Sequence, residues 1–110
     1  MSAKGGKRKK KNAGNFGGMI ETMKETELER QLKTLANRRR LAILNTIRKR
    51  GEANVTDIAR AIKLSFTSTS KHLTMLERAG FVEKEQRSLN VYYRVAPDAP
   101  KLLSSVFTLC

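Results

Sequence analysis

The chain has 110 residues, and its 23 lysines and arginines against 10 acidic residues give a formal charge of +13. That length fits one domain with a modest core, and that charge asks for a polyanionic partner, nucleic acid before a membrane surface. The excess is uneven: residues 1–12 hold six cations and no acid, and the remainder still carries 17 cations against 10 acids, or +7. No apolar run approaches the roughly 20 residues of a spanning helix, and no secretory apolar segment follows the basic start, so a soluble, cytoplasmic protein without membrane contact is expected. The single cysteine, Cys110, is the last residue, and the single histidine, His72, is distant from it. This excludes an intrachain disulfide and a thiolate cluster for zinc, and it leaves no oriented Cys–His pair for catalysis. No metal, no cofactor and no enzymatic activity are expected.

In chain order, residues 1–18 contain five of the seven glycines and the lysine run, with almost no apolar side chain apart from Phe16. Such a composition reads as a flexible basic arm, and residues 19–110 read as the folded domain. A helix is predicted from Met19 to Leu35, with Ile20, Met23, Leu28, Leu32 and Leu35 as its apolar stripe and Glu21, Glu25 and Glu29 near the positive end of its dipole. Asn37 is placed to cap a second helix, Arg38 to Arg50, whose Leu41, Leu44 and Ile47 share a face and which Gly51 stops. Asn54 or Thr56 caps a short third helix through Ile62, with Ile58, Ala59 and Ile62 turned inward. Leu64 and Ser65 then make a turn.

The segment SFTSTSKHLTMLERAG, Ser65 to Gly80, carries the most information. Leu73, Leu76 and Ala79 recur at helical spacing and ask for a core, whereas Thr67, Ser68, Ser70 and Lys71 crowd the first turns. Small hydroxyls with one cation suit a helix end pressed into a DNA groove, close to base edges and phosphates. An ordinary amphipathic helix with a polar outer face has the same pattern, so the helix alone does not decide. After Gly80 the period changes to that of strands. Val82–Gln86 and Val91–Val95 are predicted as a hairpin joined by Arg87-Ser88-Leu89-Asn90, with Lys84, Arg87 and Arg94 on it. Asp98 is placed to cap a last helix with Pro100 in its first turn and Leu102, Leu103, Val106, Phe107 and Leu109 as its apolar residues. The first and last helices have apolar faces with nothing further in the chain to cover them. Two-fold pairing through both is therefore expected, against the alternative that each folds back on its own domain.

The resulting expectation is a mainly α fold with a small β-hairpin, ordered α-α-α-α-β-β-α: a winged helix-turn-helix. Between Leu32 and Val95 the chain resembles the ArsR-type winged-helix repressors. The matching pieces are LKTLANRRRLAILNTI, DIARAIKLS, SKHLTMLERAGFVEKE and VYYRV, in that order, with Ser70, His72, Leu73, Leu76, Ala79 and Gly80 in the family register SxHLxxLxxAG. The resemblance implies a homodimeric repressor, paired through its terminal helices, that reads a palindromic operator in double-stranded DNA. Carried over by position, Thr67, Ser68, Ser70 and Lys71 face the groove, Arg87 and Arg94 belong to the wing, and His72 is a packing or phosphate-side residue. Three departures stand out. Phe66 occupies a position where many relatives carry a polar base reader, so it either packs inward or touches a thymine methyl. Ser88 and Leu89 replace a Gly-Arg wing tip. GEANVTDIA and LLSSVFTLC lack the cysteine, aspartate, histidine and glutamate ligands of metal-sensing relatives. The rival readings are an architectural protein that binds DNA with little sequence preference and a protein-interaction module that no longer binds DNA.

Overall fold

The computed structural model describes residues 24–110, so the arm and the first residues of the predicted N-terminal helix lie outside the described residues. The first described helix, α1 (Glu25–Leu35), has Glu25 and Glu27 in its opening turn and buries Leu35, with Gln31 beside it. Leu28 and Leu32 remain 36% and 47% exposed, so its stripe is only partly used within the chain.

Helix α2 (Arg38–Arg50) starts where Asn37 was expected to cap it. The Asn37 Oδ1 accepts from the backbone N–H groups of Arg39 and Arg40 at 2.9 and 3.1 Å, which satisfies two otherwise unpaired donors. Ile43, Leu44 and Ile47 are its fully buried residues. Gly51 ends it at φ 84°, donating to the Ile47 carbonyl at 2.8 Å. A two-residue strand, β1 (Ala53–Asn54), follows, which the sequence reading did not contain. Two residues are too few for an alternating pattern, and the strand exists through its pairing with a partner some 40 residues on. Asn54 serves twice, because its Oδ1 also accepts from the Asp57 N–H at 2.8 Å and caps α3 (Val55–Ile62).

The turn after α3 places Lys63 in the left-handed region, φ 58°, a conformation that costs a residue with a Cβ about 1–2 kcal/mol. Lys63 and Leu64 use their N–H groups on the Arg60 and Ala59 carbonyls. Ser65 then caps α4 (Phe66–Arg78), its Oγ accepting from the Ser68 N–H at 3.1 Å. Thr69, Leu73 and Leu76 face inward with no exposure, while Ala79 is only partly covered.

Beyond Gly80, also at positive φ, Phe81 is sealed in the core. Strands β2 (Val82–Arg87) and β3 (Asn90–Val95) pair antiparallel in register from Val82↔Val95 to Arg87↔Asn90, leaving the two-residue turn Ser88-Leu89. Each strand is one residue longer than predicted, because Ser88 takes a positive φ of 57° and tightens the turn. β1 lies on the other edge of β3, giving the order β1-β3-β2.

The last helix, α5 (Lys101–Phe107), departs from expectation at its start. Pro100, not Asp98, holds the cap position, without a side-chain cap, and its carbonyl accepts from the Leu103 N–H at 2.9 Å. Asp98 sits two residues earlier in an exposed turn. Leu103, expected on a pairing face, is 2% exposed within the single chain and belongs to the core formed with Leu35, Leu44, Ile47, Phe81 and Tyr93. The complete order is α-α-β-α-α-β-β-α, a winged helix-turn-helix with the third strand added to the wing. No helix among the described residues is long and apolar enough to cross a membrane.

Candidate nucleic-acid interface

Helix α4 separates its chemistry by face. The inward side is Thr69, Leu73 and Leu76. On the outer side Phe66, Thr67, Ser70, Lys71 and Thr74 line one open cleft of about 250 Å³. Those positions follow from 3.6 residues per turn: 66, 70 and 74 stack, and 67 and 71 stack beside them. Thr67 and Lys71 are exposed and Ser70 is half-buried. Ser68, grouped with them in the sequence reading, does not line this cleft. Phe66 is 56% exposed, so the inward-packing alternative is excluded. Thr74 was not foreseen as a cleft residue, although the i, i+4 spacing from Ser70 carried the signal; its hydroxyl donates to the Ser70 carbonyl at 3.0 Å.

The wing arginines are placed differently. In the hairpin register Val82, Lys84 and Tyr93 share the face that packs on the core, while Glu83, Glu85, Arg87, Tyr92 and Arg94 share the outer face. There Arg87 grips Glu52 bidentately, at 2.7 and 2.6 Å, and also donates to Glu85 at 3.2 Å with its guanidinium 4.7 Å from the centre of the Tyr92 ring. Arg94 donates to Glu83 at 2.7 Å and to Glu85 at 3.0 Å. The hydrogen bond from Arg87 holds the Glu52 carboxyl below its ordinary range, and Arg87 together with Arg94 does the same to Glu85. Both arginines are correspondingly harder to deprotonate. The two cations thus have three carboxylates as internal counter-ions, which the sequence reading missed because Glu52 lies 35 residues from Arg87.

Basic residues without carboxylate neighbours among the described residues occur elsewhere. Arg38, Arg39 and Lys63, with Asn45 and Thr46, line a cleft of about 530 Å³ between α2 and α3 that no carboxylate enters among the described residues. Next to it Arg40 ties α2 to α4, its Nε donating to His72 Nδ1 at 3.2 Å and its Nη1 to the Thr34 carbonyl at 3.2 Å. Since His72 Nδ1 accepts, its proton sits on Nε2. Burial first, then the charges of Arg40 and Arg39, push the imidazole below its ordinary pKa and keep it neutral. Among the described residues no three His, Cys, Asp or Glu side chains converge to hold a metal ion, and Cys110 is exposed.

Comparison with known proteins agrees with this architecture. The transcriptional repressor PagR of Bacillus anthracis is 33% identical over 76 residues, 69% of this chain and 76% of its own. The arsenic resistance transcriptional regulator ArsR1 of Pseudomonas putida is 31% identical over 74 residues, 67% of this chain, and the match spans 58% of that protein's length. Among solved structures, the homodimeric winged helix-turn-helix DNA-binding domain of a possible ArsR-family regulator from Mycobacterium bovis superposes with a TM-score of 0.67 at 35% identity, covering 76% of this chain and 78% of the other. The family model for MarR matches residues 36–90, from the approach to α2 through the wing turn. With half its length matched by that model and its helix-turn-helix, wing and outward α4 stripe in place, the chain belongs to the MarR family of winged-helix proteins.

Proposed function

We propose that the chain is a transcriptional repressor of the ArsR type that binds a palindromic operator as a homodimer in the cytoplasm. The observation that carries this reading is the outer stripe of α4. Thr67, Ser70, Lys71 and Thr74 stand on a helix whose other face is locked by Leu73 and Leu76, so three hydroxyls of short reach are held at fixed spacing beside one longer cation. A rigid helix bearing such groups reads base edges in a major groove, and phosphates supply most of the affinity. Ser68, beside the capped turn, and the cationic α2–α3 cleft are assigned to the DNA backbone. Arg87 and Arg94 are assigned first to bracing the wing; they reach a phosphate only by giving up a carboxylate. The arm, residues 1–18, adds attraction without sequence preference. Pairing of two copies is supported by the exposed Leu28 and Leu32, which with Ala36 line a groove of about 310 Å³ on α1, and by the homodimeric relative.

Selecting binding sites from random DNA tests the reading, and a palindromic consensus is the expected result. Lys71→Ala should then weaken that site by about 1–3 kcal/mol relative to unrelated DNA. Removing residues 1–12 should weaken all sequences comparably. If no consensus emerges, the architectural reading replaces this one. If arm removal abolishes sequence preference and Lys71→Ala does nothing, the arm is the reader.

A further inference from the structure

The α4 stripe contains one residue that hydrogen-bond readout does not use. Phe66, the first residue of the helix, is 56% exposed and walls two clefts at once. On one side it lines the cleft with Thr67, Ser70, Lys71 and Thr74. On the other it faces Leu89 at the wing turn, across a notch of about 200 Å³ completed by Asn54, Thr56 and Val91. Leu89 is 95% exposed. Two large apolar side chains are therefore held open to solvent beside the hydroxyls and the cation of the α4 cleft, with Val55, Val91 and the amides of Asn54 and Asn90 completing the notch between them.

In a major groove the base edges offer donors, acceptors and one apolar group, the methyl at C5 of thymine or of 5-methylcytosine. Resting on the DNA-reading assignment above, we propose that Phe66 is a specificity residue that recognises a pyrimidine 5-methyl group in each half-site, with Leu89 closing the notch at its side. The capped first turn fixes the ring's approach, because Ser65 holds the Ser68 N–H and the helix begins in one orientation. The polar cleft beside it reads the neighbouring edges by hydrogen bonds, while the ring reads the one feature that makes none.

The experiment uses the full chain and the operator obtained by random-site selection. Each thymine of one half-site is replaced in turn by deoxyuridine, which removes only the methyl, and each cytosine by 5-methylcytosine, which adds only the methyl. One position should respond by about fourfold in Kd, the equivalent of one buried methyl-sized group. A loss with deoxyuridine identifies thymine as the source, and a gain with 5-methylcytosine identifies the modified base. Phe66→Ala should bind the paired DNAs equally, and Phe66→Leu should retain part of the difference. If no position responds, or if the response is undiminished in Phe66→Ala, the inference is overturned while the operator-binding reading stands. If selection yields no consensus, both fall together.

Discussion

Two side chains, one buried and one half-buried, show how single residues are set against the fold. Thr69 is fully enclosed, and its Oγ1 has no hydrogen-bond partner among the described residues. A sealed hydroxyl without a partner loses its hydration and recovers nothing, whereas valine has nearly the same shape and no such loss. Thr69→Val should therefore stabilise the domain by about 1 kcal/mol, raising its thermal midpoint by several degrees, and an unchanged or lowered midpoint would show the hydroxyl to be bonded. His72 makes the opposite kind of commitment, since it accepts a hydrogen bond from the Arg40 guanidinium and is held neutral by burial first and then by the charges of Arg40 and Arg39. Its folded pKa lies below the ordinary value of 6.5, so on acidification the unfolded chain takes up the proton first. The stabilisation is complete above that value and is lost as pH falls through it toward the folded pKa. Thermal unfolding between about pH 7.5 and pH 5.5 should show this decline, and His72→Gln, which can still accept from Arg40, should flatten it. Equal slopes in the two proteins would exclude His72 as the source.

At the scale of elements, legibility followed the range of the interaction that made each element. Asn37 and Ser65 were readable as caps because a cap acts within three residues. The hairpin was readable from its period. β1 was not, since Ala53 and Asn54 are a strand only by virtue of Tyr93 and Tyr92. The stripe of α4 was readable as a helix face, and Thr67, Ser70 and Lys71 were found together on it, but the partners of Arg87 depended on a register and on a loop far away in the chain. α5 illustrates a different limit. A run of apolar residues states that a face must be covered and does not state by what. Leu103 is covered by its own domain, while Leu32 on α1 is not. The two leucines should therefore respond differently to the same change. Leu103→Asp should abolish cooperative unfolding, because a carboxylate there is desolvated without a partner. Leu32→Asp should keep the fold by circular dichroism and shift the sedimentation of the protein from dimer to monomer. If Leu32→Asp remains a dimer, α1 is not the pairing face.

In the molecule as a whole, the reading helix and the wing are parts of one body. β1 stitches the wing to the loop between α2 and α3, Glu52 from that loop grips Arg87 on β2, and Phe81 links the end of α4 to the start of the hairpin. Lys84 on β2 adds a looser tie of 3.8 Å to Glu77 on α4. On the proposed reading, a body of this kind would meet DNA with its reading groups already in place, and little ordering entropy would be lost on docking. In the proposed dimer, adjustment to the distance between half-sites would then fall to the junction between two copies and to the DNA.

The carboxylates that hold the wing also alter how its binding would register in an ionic-strength titration. A lone arginine that neutralises a phosphate expels about 0.9 of a condensed cation from the duplex, and the steepness of salt dependence is read as a tally of such events. Arg87 and Arg94 come accompanied by Glu52, Glu83 and Glu85. When either arginine turns to a phosphate, a carboxylate is left beside the polyanion and recruits a cation from solution. Release and uptake would then offset each other, so a wing bound to DNA in the proposed way would add to grip while adding little to the slope. On the proposed reading, an operator complex would touch more phosphates than its salt titration reports, and the shortfall would be the signature of a wing that brings its own anions.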